Sequence, residues 1–517
     1  MTTIEISLSP EQYFNSALLH EEVSRHANIP SCDISHIEIK RRSLDSRRGI
    51  RYITRIDIYT HNDTYSATDY SSPYTDCHNA PPVVIVGAGP AGLFAALHAL
   101  ECGIKPIIVE RGKAVETRKK DISMMVRNRL VNSGSNWCYG EGGAGTFSDG
   151  KLYTRSTKRG NVNDILRKFV EHGANSDIMI DAHAHIGTDR LGGIIAKMRK
   201  TILDYGGEYH FDSKVEDFII HEGRVCGVKC SGGDTFEGIA TILATGHSAR
   251  DIYSLFLQRG WLLEAKPFAI GLRIEHPQQL IDNIQYHSKN HSPLLPPASY
   301  SLTTQIDGHG VFSFCMCPGG VIVPASTSDG EQVVNGMSNA SRSSAFANSG
   351  IAVTVSPSDI PEYAQFGPLS MLRFQQDVER RAYESAGGKL NAPTQRLTDF
   401  CEGKSAQYLN KSNYMGDCVG VELNGILPKF VSQCLQKAFP VFGKKMHGYY
   451  TSEASLLAVE SRTSSPVRIP RCANGEHPQL KGLFPCGEGA GYAGGIISSA
   501  IDGVKQVDNI IMMLNRL

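Results

Sequence analysis

Net charge is the first thing this 517-residue sequence lacks: 52 basic residues stand against 52 acidic ones. Such a chain has no global field to draw it onto nucleic acid or an anionic membrane, so a partner of that kind needs a local patch. It also lacks any C-x-x-C pair. Its 13 cysteines are odd in number and irregularly spaced, which excludes a disulfide scaffold and fits a reduced, cytoplasmic protein. The opening MTTIEISLSP has neither a basic start nor an apolar core, so no secretory signal is expected. The longest apolar uncharged stretch, 81–100, is interrupted by Gly87, Gly89, Pro90 and Gly92, and no membrane span is expected either. What is present is ordinary globular material, 41% hydrophobic, with length for roughly two to four domains.

Residues 1–80 form a small α+β unit. Thr3 to Leu8 alternate as a strand. Ser9 then caps a helix with Pro10 in its first turn, Gln12 completing a capping box, and Phe14, Leu18, Leu19 and Val23 along its apolar face. Two alternating strands, 34–44 and 50–59, are joined by Asp45 to Gly49 as a hairpin. The hairpin carries Lys40, Arg41, Arg42, Arg47, Arg48, Arg51 and Arg55, a basic ribbon suited in principle to RNA or a protein partner. The unit as a whole has eight basic and eleven acidic residues, so a solvated or domain-docking ribbon is the stronger expectation. Residues 60–80 read as a linker.

The informative stretch follows. Val83 to Val86 passes into Gly87-Ala88-Gly89-Pro90-Ala91-Gly92 and then a helix-compatible run, which is G-x-G-x-x-G in its proper setting. Gly87 permits the tight turn, Gly89 lets a pyrophosphate approach the backbone, and Gly92 lets helix and strand pack closely. The next strand ends in Glu110, 23 residues after Gly87, spaced to accept both ribose hydroxyls of an adenosine. The same pattern recurs twice. Gly140 to Gly145 follows no apolar strand and precedes no helix, so it is a loop. Gly489 to Gly494 lies between a short strand, 482–486, and a C-terminal helix, 495–514, with no room for a ribose acid after it. A strand, glycine loop and helix there suit closure of a flavin site. Glu488 is placed for a ribityl hydroxyl, and the amides around Gly495 and Ile496 for the flavin pyrimidine edge. Thr235 to Ala244 reads as a strand ending in Ala244-Thr245-Gly246-His247, and 214–221 with 224–229 as a hairpin.

These stretches resemble the FAD proteins with a single dinucleotide-binding domain, the group that includes geranylgeranyl reductases and aromatic hydroxylases, and more narrowly a bacterial FAD-dependent dehydrogenase family. The resemblance runs through GAGPAGLFAA, GEGGAGTFSDGKL, HIGTD, ATGHSARD, FCMCPGG, ESRTSSPVRIPR and CGEGAGYAGGI, from about residue 81 to the end. It implies non-covalently bound FAD. Its AMP half would rest on Gly87, Gly89, Pro90, Ala91, Gly92, Glu110, Arg111 and Val215. Its flavin half would rest on Gly142, Gly143, Ala144, Gly145, Gly246, Gly487, Glu488, Gly494, Gly495 and Ile496. Glu488 stands where the wider group more often has Asp. The implied architecture is α/β: an FAD-binding Rossmann-type domain with a parallel sheet in two segments, 81–261 and 481–517. A mixed, partly antiparallel substrate domain, 262–480, is inserted between them, and the small N-terminal domain, 1–80, precedes both.

A flavin performs the electron chemistry itself, so the chain need only place a small-molecule substrate and move a proton. Lys151, His247 and Arg462 are the candidates, with an ordinary surface ion pair as the bland reading of the lysine and arginine. Cys315 and Cys317, two apart on a strand, face the same way with parallel Cβ vectors, which argues for packed thiols rather than a dithiol. His183 and His185 lack further ligands with metal spacing, so no metal is expected. NADH or NADPH would have to visit transiently as electron donor, since no second dinucleotide domain is present. The competing function is a flavin-bound redox sensor or interaction protein that uses the basic N-terminal hairpin.

Overall fold

In the FAD-domain core, the run Pro82–Val86 is apolar at every position because both faces of its strand are covered. Val83 and Ile85 pack into one hydrophobic cluster, while Val84 and Val86 pack into another on the opposite face. Burying each such side chain contributes about 1.5–3 kcal/mol. In the computed structural model, which describes residues 1–47, 49–153 and 160–515, this strand is the centre of a five-stranded parallel sheet. The order is Leu483–Pro485, Thr241–Leu243, Pro82–Val86, Lys105–Val109, Glu208–His210. The chain's last strand thus closes the sheet opened by the fingerprint strand. The C-terminal helix Ile496–Leu514 crosses the fingerprint helix Pro90–Glu101 at Gly503, where a Cβ would lie 2.1 Å from the Ala91 carbonyl oxygen.

The expected strand from Thr235 to Ala244 is two strands in two sheets. Thr235–Glu237 pairs antiparallel with Arg224–Cys230, and Thr241–Leu243 pairs in parallel with Pro82–Val86. The chain changes sheets at Gly238, where a Cβ would stand 2.6 Å from the Pro82 carbonyl oxygen. One strand cannot satisfy both ladders.

The inserted region builds a seven-stranded mixed sheet around Phe268–Pro277, Phe346–Val355 and Ser455–Glu460, covered by the helices Ser370–Ser385 and Lys429–Lys445. Strand His309–Cys317 carries an irregularity. Phe314 faces Gly350 and Cys317 faces Asn348, so three steps on one strand oppose two on the other, and Cys315 takes φ +45°. The straight-strand geometry expected for the two cysteines is therefore absent.

The N-terminal unit is a three-stranded antiparallel sheet with its own core. The expected single helix is broken. Asn15 is extended and its side chain accepts from the amides of Ala17 and Leu18, so one helix ends at Phe14 and another starts at Ser16. The break buries Tyr13, stacked on Tyr52 at 4.6 Å, and leaves Phe14 50% exposed, contrary to the expected apolar face. The basic ribbon docks: the Arg42 amide donates to the Ile180 carbonyl, the Ala182 amide donates back to Arg42, and the Arg42 guanidinium pairs with Asp177 and Asp181. Lys40 is held by Glu38 at 2.7 Å and Arg47 by Asp45 at 2.7 Å; Arg48 lies outside the described residues. Residues 60–80 are more than a tether. Ser72 and Tyr74 donate to Glu171, and Cys77 is fully buried against the FAD-domain core. Among the described residues no helix is long and apolar enough to cross a membrane.

Candidate functional site, a dinucleotide-shaped cavity

A cavity of about 1190 Å³ opens along the carboxyl ends of the parallel strands, above the roughly 300–1,000 Å³ of common small-molecule pockets. Its inner end is the fingerprint. Gly87 sits at φ +104° with its Cα against the Ala244 carbonyl, and a Cβ on Gly92 would lie 1.9 Å from the Gly87 carbonyl oxygen. These two glycines serve the chain's own packing, as the strand-turn-helix pattern requires. Gly89, Pro90 and Ala91 line the cavity as the helix begins. Glu110 and Arg111 line it next, with Val215 beyond them. The Glu110 carboxylate is 6% exposed and accepts three amides, from Ala88 at 2.8 Å, Gly112 at 2.9 Å and Gly140 at 3.0 Å. The expectation that it accepts both ribose hydroxyls is thus corrected. Most of its lone-pair directions already knit the two glycine loops together, leaving room for about one further donor. Arg111 pairs with Asp251 and stacks on Tyr139 at 4.3 Å.

The Gly140 loop is a loop, as expected, and its shape is held by a residue that pattern reading did not single out. Arg118, fully buried, donates to the carbonyls of Asn136 (2.8 Å), Gly140 (3.1 Å), Glu141 (2.7 Å) and Gly143 (2.9 Å). Within its amphipathic helix, Val115–Asn128, nothing in the spacing distinguishes it from the neighbouring Lys119, Lys120 and Arg127. Gly143, Ala144 and Gly145 line the cavity, whereas Gly142, at φ +80° with Thr146 Oγ1 2.0 Å from a would-be Cβ, is a turn position behind it. Gly487 is likewise behind the wall, its amide donating to Asp502 at 2.7 Å. Asp502, which also holds Arg471, is a second support not foreseen from sequence.

The outer half carries Gly246, Glu488, Gly494, Gly495 and Ile496. Glu488 accepts no side-chain hydrogen bond among the described residues, and burial pushes its carboxyl up to about 7 despite Lys266 nearby. Gly494 and Gly495 have neither a left-handed φ nor any heavy atom within 4 Å of a would-be Cβ. Protein packing does not ask for glycine there. The space in front of them is open to the cavity at the start of the helix Ile496–Leu514, where amides and dipole favour negative charge.

The three expected proton or anion handles also reach this cavity, in altered roles. Arg462 is no surface ion pair. It is 8% exposed and enters a four-membered network, bonding Glu331 at 2.9 Å, Glu379 at 3.2 Å and Thr327 at 2.7 Å, with Arg250 completing the charge balance at 2.7 Å from Glu379. His247 is pushed down to about 3 by burial and by the flanking Arg462 and Arg250 cations, so it is a neutral imidazole and no proton donor near pH 7. Lys151 donates to the Met316 carbonyl, and its amine is held above the usual lysine range by Cys315, Cys317 and Asp149 in opposition to burial. His183 and His185 line the wall beside it, where His183 meets Tyr153 edge-on and His185 bonds the Ala340 carbonyl. The helix after His185, Thr188–Asp204, begins from Gly187 without a side-chain cap. Among the described residues no group of three or more His, Cys, Asp or Glu is arranged to hold a metal.

Three family descriptions match the chain: a FAD-binding domain over residues 82–120, a FAD-dependent protein C-terminal domain over 267–463, and a domain of unknown function over 1–59. A protein of Clostridium beijerinckii, described as uncharacterized, is 37% identical over 98% of this chain and 97% of its own length. The chain belongs to that protein's family. Among solved structures, glycine oxidase from Bacillus cereus aligns at 13% identity with TM-score 0.30, covering 84% of this chain and 95% of that one. A 3-ketosteroid dehydrogenase from Rhodococcus jostii aligns at 13% identity with TM-score 0.34, covering 85% and 99%. What those enzymes act on is a statement about them alone. The cofactor is FAD, and the cavity fits it: a partnerless carboxylate, ligand-facing glycines and a helix start lie in a row on from the fingerprint.

Proposed function

We propose that this flavoprotein is an FAD-dependent oxidoreductase, a dehydrogenase or reductase that moves a hydride between FAD, held without a covalent bond, and a small organic substrate. The observation that carries this reading is the continuity of one cavity from the fingerprint, past Glu488 and Gly495, to a chamber beyond. That chamber is walled by Lys151, Tyr300, Phe314 and Cys315 from the FAD and substrate domains, and by Phe14 and Tyr52 from the N-terminal unit. Residues 1–80, 81–261 with 481–517, and 262–480 serve in this reading as outer wall, FAD domain and substrate domain.

FAD supplies hydride transfer when bound. The chain's residues do the rest. Gly89, Pro90 and Ala91 present the helix start to the pyrophosphate, and Glu110, Arg111 and Val215 frame the adenosine. Gly143 to Gly145, Gly246 and Gly494 to Ile496 would offer the flavin bare backbone, and Glu488 would hold a ribityl hydroxyl. The positive end of the helix Ile496–Leu514 favours the reduced, more negative form. Lys151 keeps a cation at the substrate chamber, while Arg462 and His247 set the wall's shape. Apolar and aromatic groups dominate the outer wall and exclude water from the reacting face.

Commitment of Arg42 to Asp177 and Asp181 supports a domain-docking role for the ribbon over an RNA-binding one. The reading is tested on purified protein. It should be yellow, release FAD on denaturation, and lose its visible flavin bands anaerobically with NADH or NADPH as a visiting donor, or with an oxidisable substrate. Protein that takes up no FAD after reconstitution with excess cofactor overturns it.

A further inference from the structure

Strand His309–Cys317 brings two sulfurs to the cavity wall in a way its sequence conceals. In a regular strand, residues two apart point in parallel and their thiols do not meet. Here the extra residue between Phe314 and Cys317 breaks the pleat, and Cys315 sits at φ +45°, a left-handed conformation uncommon for a residue other than glycine, Asn or Asp. The consequence is a turned side chain: the Cys317 thiol donates to the Cys315 carbonyl at 3.3 Å instead of standing parallel to the Cys315 side chain. Both cysteines are free thiols.

The two positions differ in access and in surroundings. Cys315 is half-buried and lines the cavity, whereas Cys317 is fully buried behind it. Two cations are tied to the bulge. Lys151 donates to the Met316 carbonyl between the cysteines, and Arg273, itself fully buried on Glu460 at 2.7 Å, donates to the Cys315 carbonyl at 3.3 Å. No carboxylate pairs with Lys151 among the described residues, and its charge remains beside the Cys315 sulfur. The Cys317 hydrogen bond holds the Cys315 thiol below the usual thiol range, helped by Lys151 and Arg273 against the effect of burial. An accessible thiolate backed by a second, protected thiol is the arrangement that reactive cysteines use, one attacking and one resolving.

We propose that Cys315 and Cys317 form a redox-active dithiol that opens onto the FAD cavity and exchanges two electrons with the bound flavin. This rests on the FAD reading above. In the exchange one sulfur–sulfur bond forms and both S–H bonds are lost. The two electrons and both protons, carried through solvent, pass to FAD, so that two thiols and oxidised FAD become one disulfide and FADH2. The strained bulge assists closure because it already holds the two sulfurs off the parallel pleat.

The test uses the holoenzyme, pre-treated with oxidised glutathione, desalted, and titrated anaerobically with dithionite while the flavin bands are followed. Wild-type protein should need about two molar equivalents of the two-electron reductant per FAD, against one for Cys315→Ser and for Cys317→Ser. Alkylation and peptide mass mapping of the wild type, which needs no variant, should find Cys315 and Cys317 joined before the titration and both alkylated after it. Complete bleaching with one equivalent, or both thiols alkylated in the glutathione-treated protein, overturns the proposal. A chain that binds no FAD is recognised by its absent flavin bands, which overturns the FAD reading, while mapping still decides whether the pair closes.

Discussion

Two groups of glycines in the same domain are glycine for different reasons. At Gly87, Gly92 and Gly503 a side chain would collide with the chain's own backbone: 2.5 Å from the Ala244 oxygen, 1.9 Å from the Gly87 oxygen and 2.1 Å from the Ala91 oxygen. At Gly494 and Gly495 a Cβ would meet nothing within 4 Å, and the backbone angles suit any residue. The first group is required for the fold to close; the second is required only by what fills the cavity. Glycine is costly in an ordered segment because it has the most freedom to lose. A glycine without a packing reason that also lines the cavity is therefore where a ligand effect is to be tested.

That contrast predicts separable defects. Gly92→Ala should have the largest effect. Its methyl group must displace backbone, costing about 3 kcal/mol or more, the upper end for overpacking, and urea unfolding should show the loss with or without FAD. Gly495→Val should cost the FAD-free protein about 1 kcal/mol or less through the altered helix cap and weaken FAD binding by about tenfold, near 1.4 kcal/mol; ultrafiltration against free FAD reads the affinity. A larger loss of FAD-free stability in that variant would break the contrast. Gly89→Ala sharpens it within the fingerprint itself, since Gly89 has φ −76° and its would-be Cβ lies 3.8 Å from Gly143. A change of about 1 kcal/mol or less in FAD-free stability is expected from the altered helix cap, with a clear loss of FAD affinity. The effect at Glu488 depends on pH rather than on packing. Its folded carboxyl is raised to about 7 from 4.5, so the folded state carries no penalty at low pH, where both states are protonated. The penalty grows as pH rises from about 4.5 and is complete above about 7. FAD-free Glu488→Gln should therefore match wild type near pH 4 and melt higher above pH 7; melting curves across pH check the sign.

The cofactor half of the site was legible because its signals are local. G-x-G-x-x-G between a strand and a helix states its own geometry, and Val83 to Val86 read as buried on both faces from composition alone. The hairpin 34–44 with 50–59 and the closing helix were legible for the same reason of short-range periodicity. Side-chain roles were not. Glu110, spaced for ribose, gives most of its acceptor capacity to three amides from separate loops. Arg462, read against a surface ion pair, lies in a buried network with Glu331 and Glu379, residues 131 and 83 positions away. Arg118 carries the same helical signature as its exposed neighbours and is distinguished only by four carbonyls that the Gly140 loop brings to it.

The sequence by itself determined that this chain builds a parallel dinucleotide-binding sheet with a glycine loop at each end of the domain, because turn conformation and helix start depend on neighbours a few residues apart. Only the tertiary structure decided what the cavity is made of. It brought the N-terminal unit's Phe14 and Tyr52 to the outer wall, locked Arg42 onto Asp177 and Asp181, and turned a strand's Cys-Met-Cys into a bulge that aims the Cys317 thiol at the Cys315 carbonyl. Those outcomes depend on register, docking and burial between segments from some thirty to well over a hundred residues apart, and one-dimensional spacing carries no record of them.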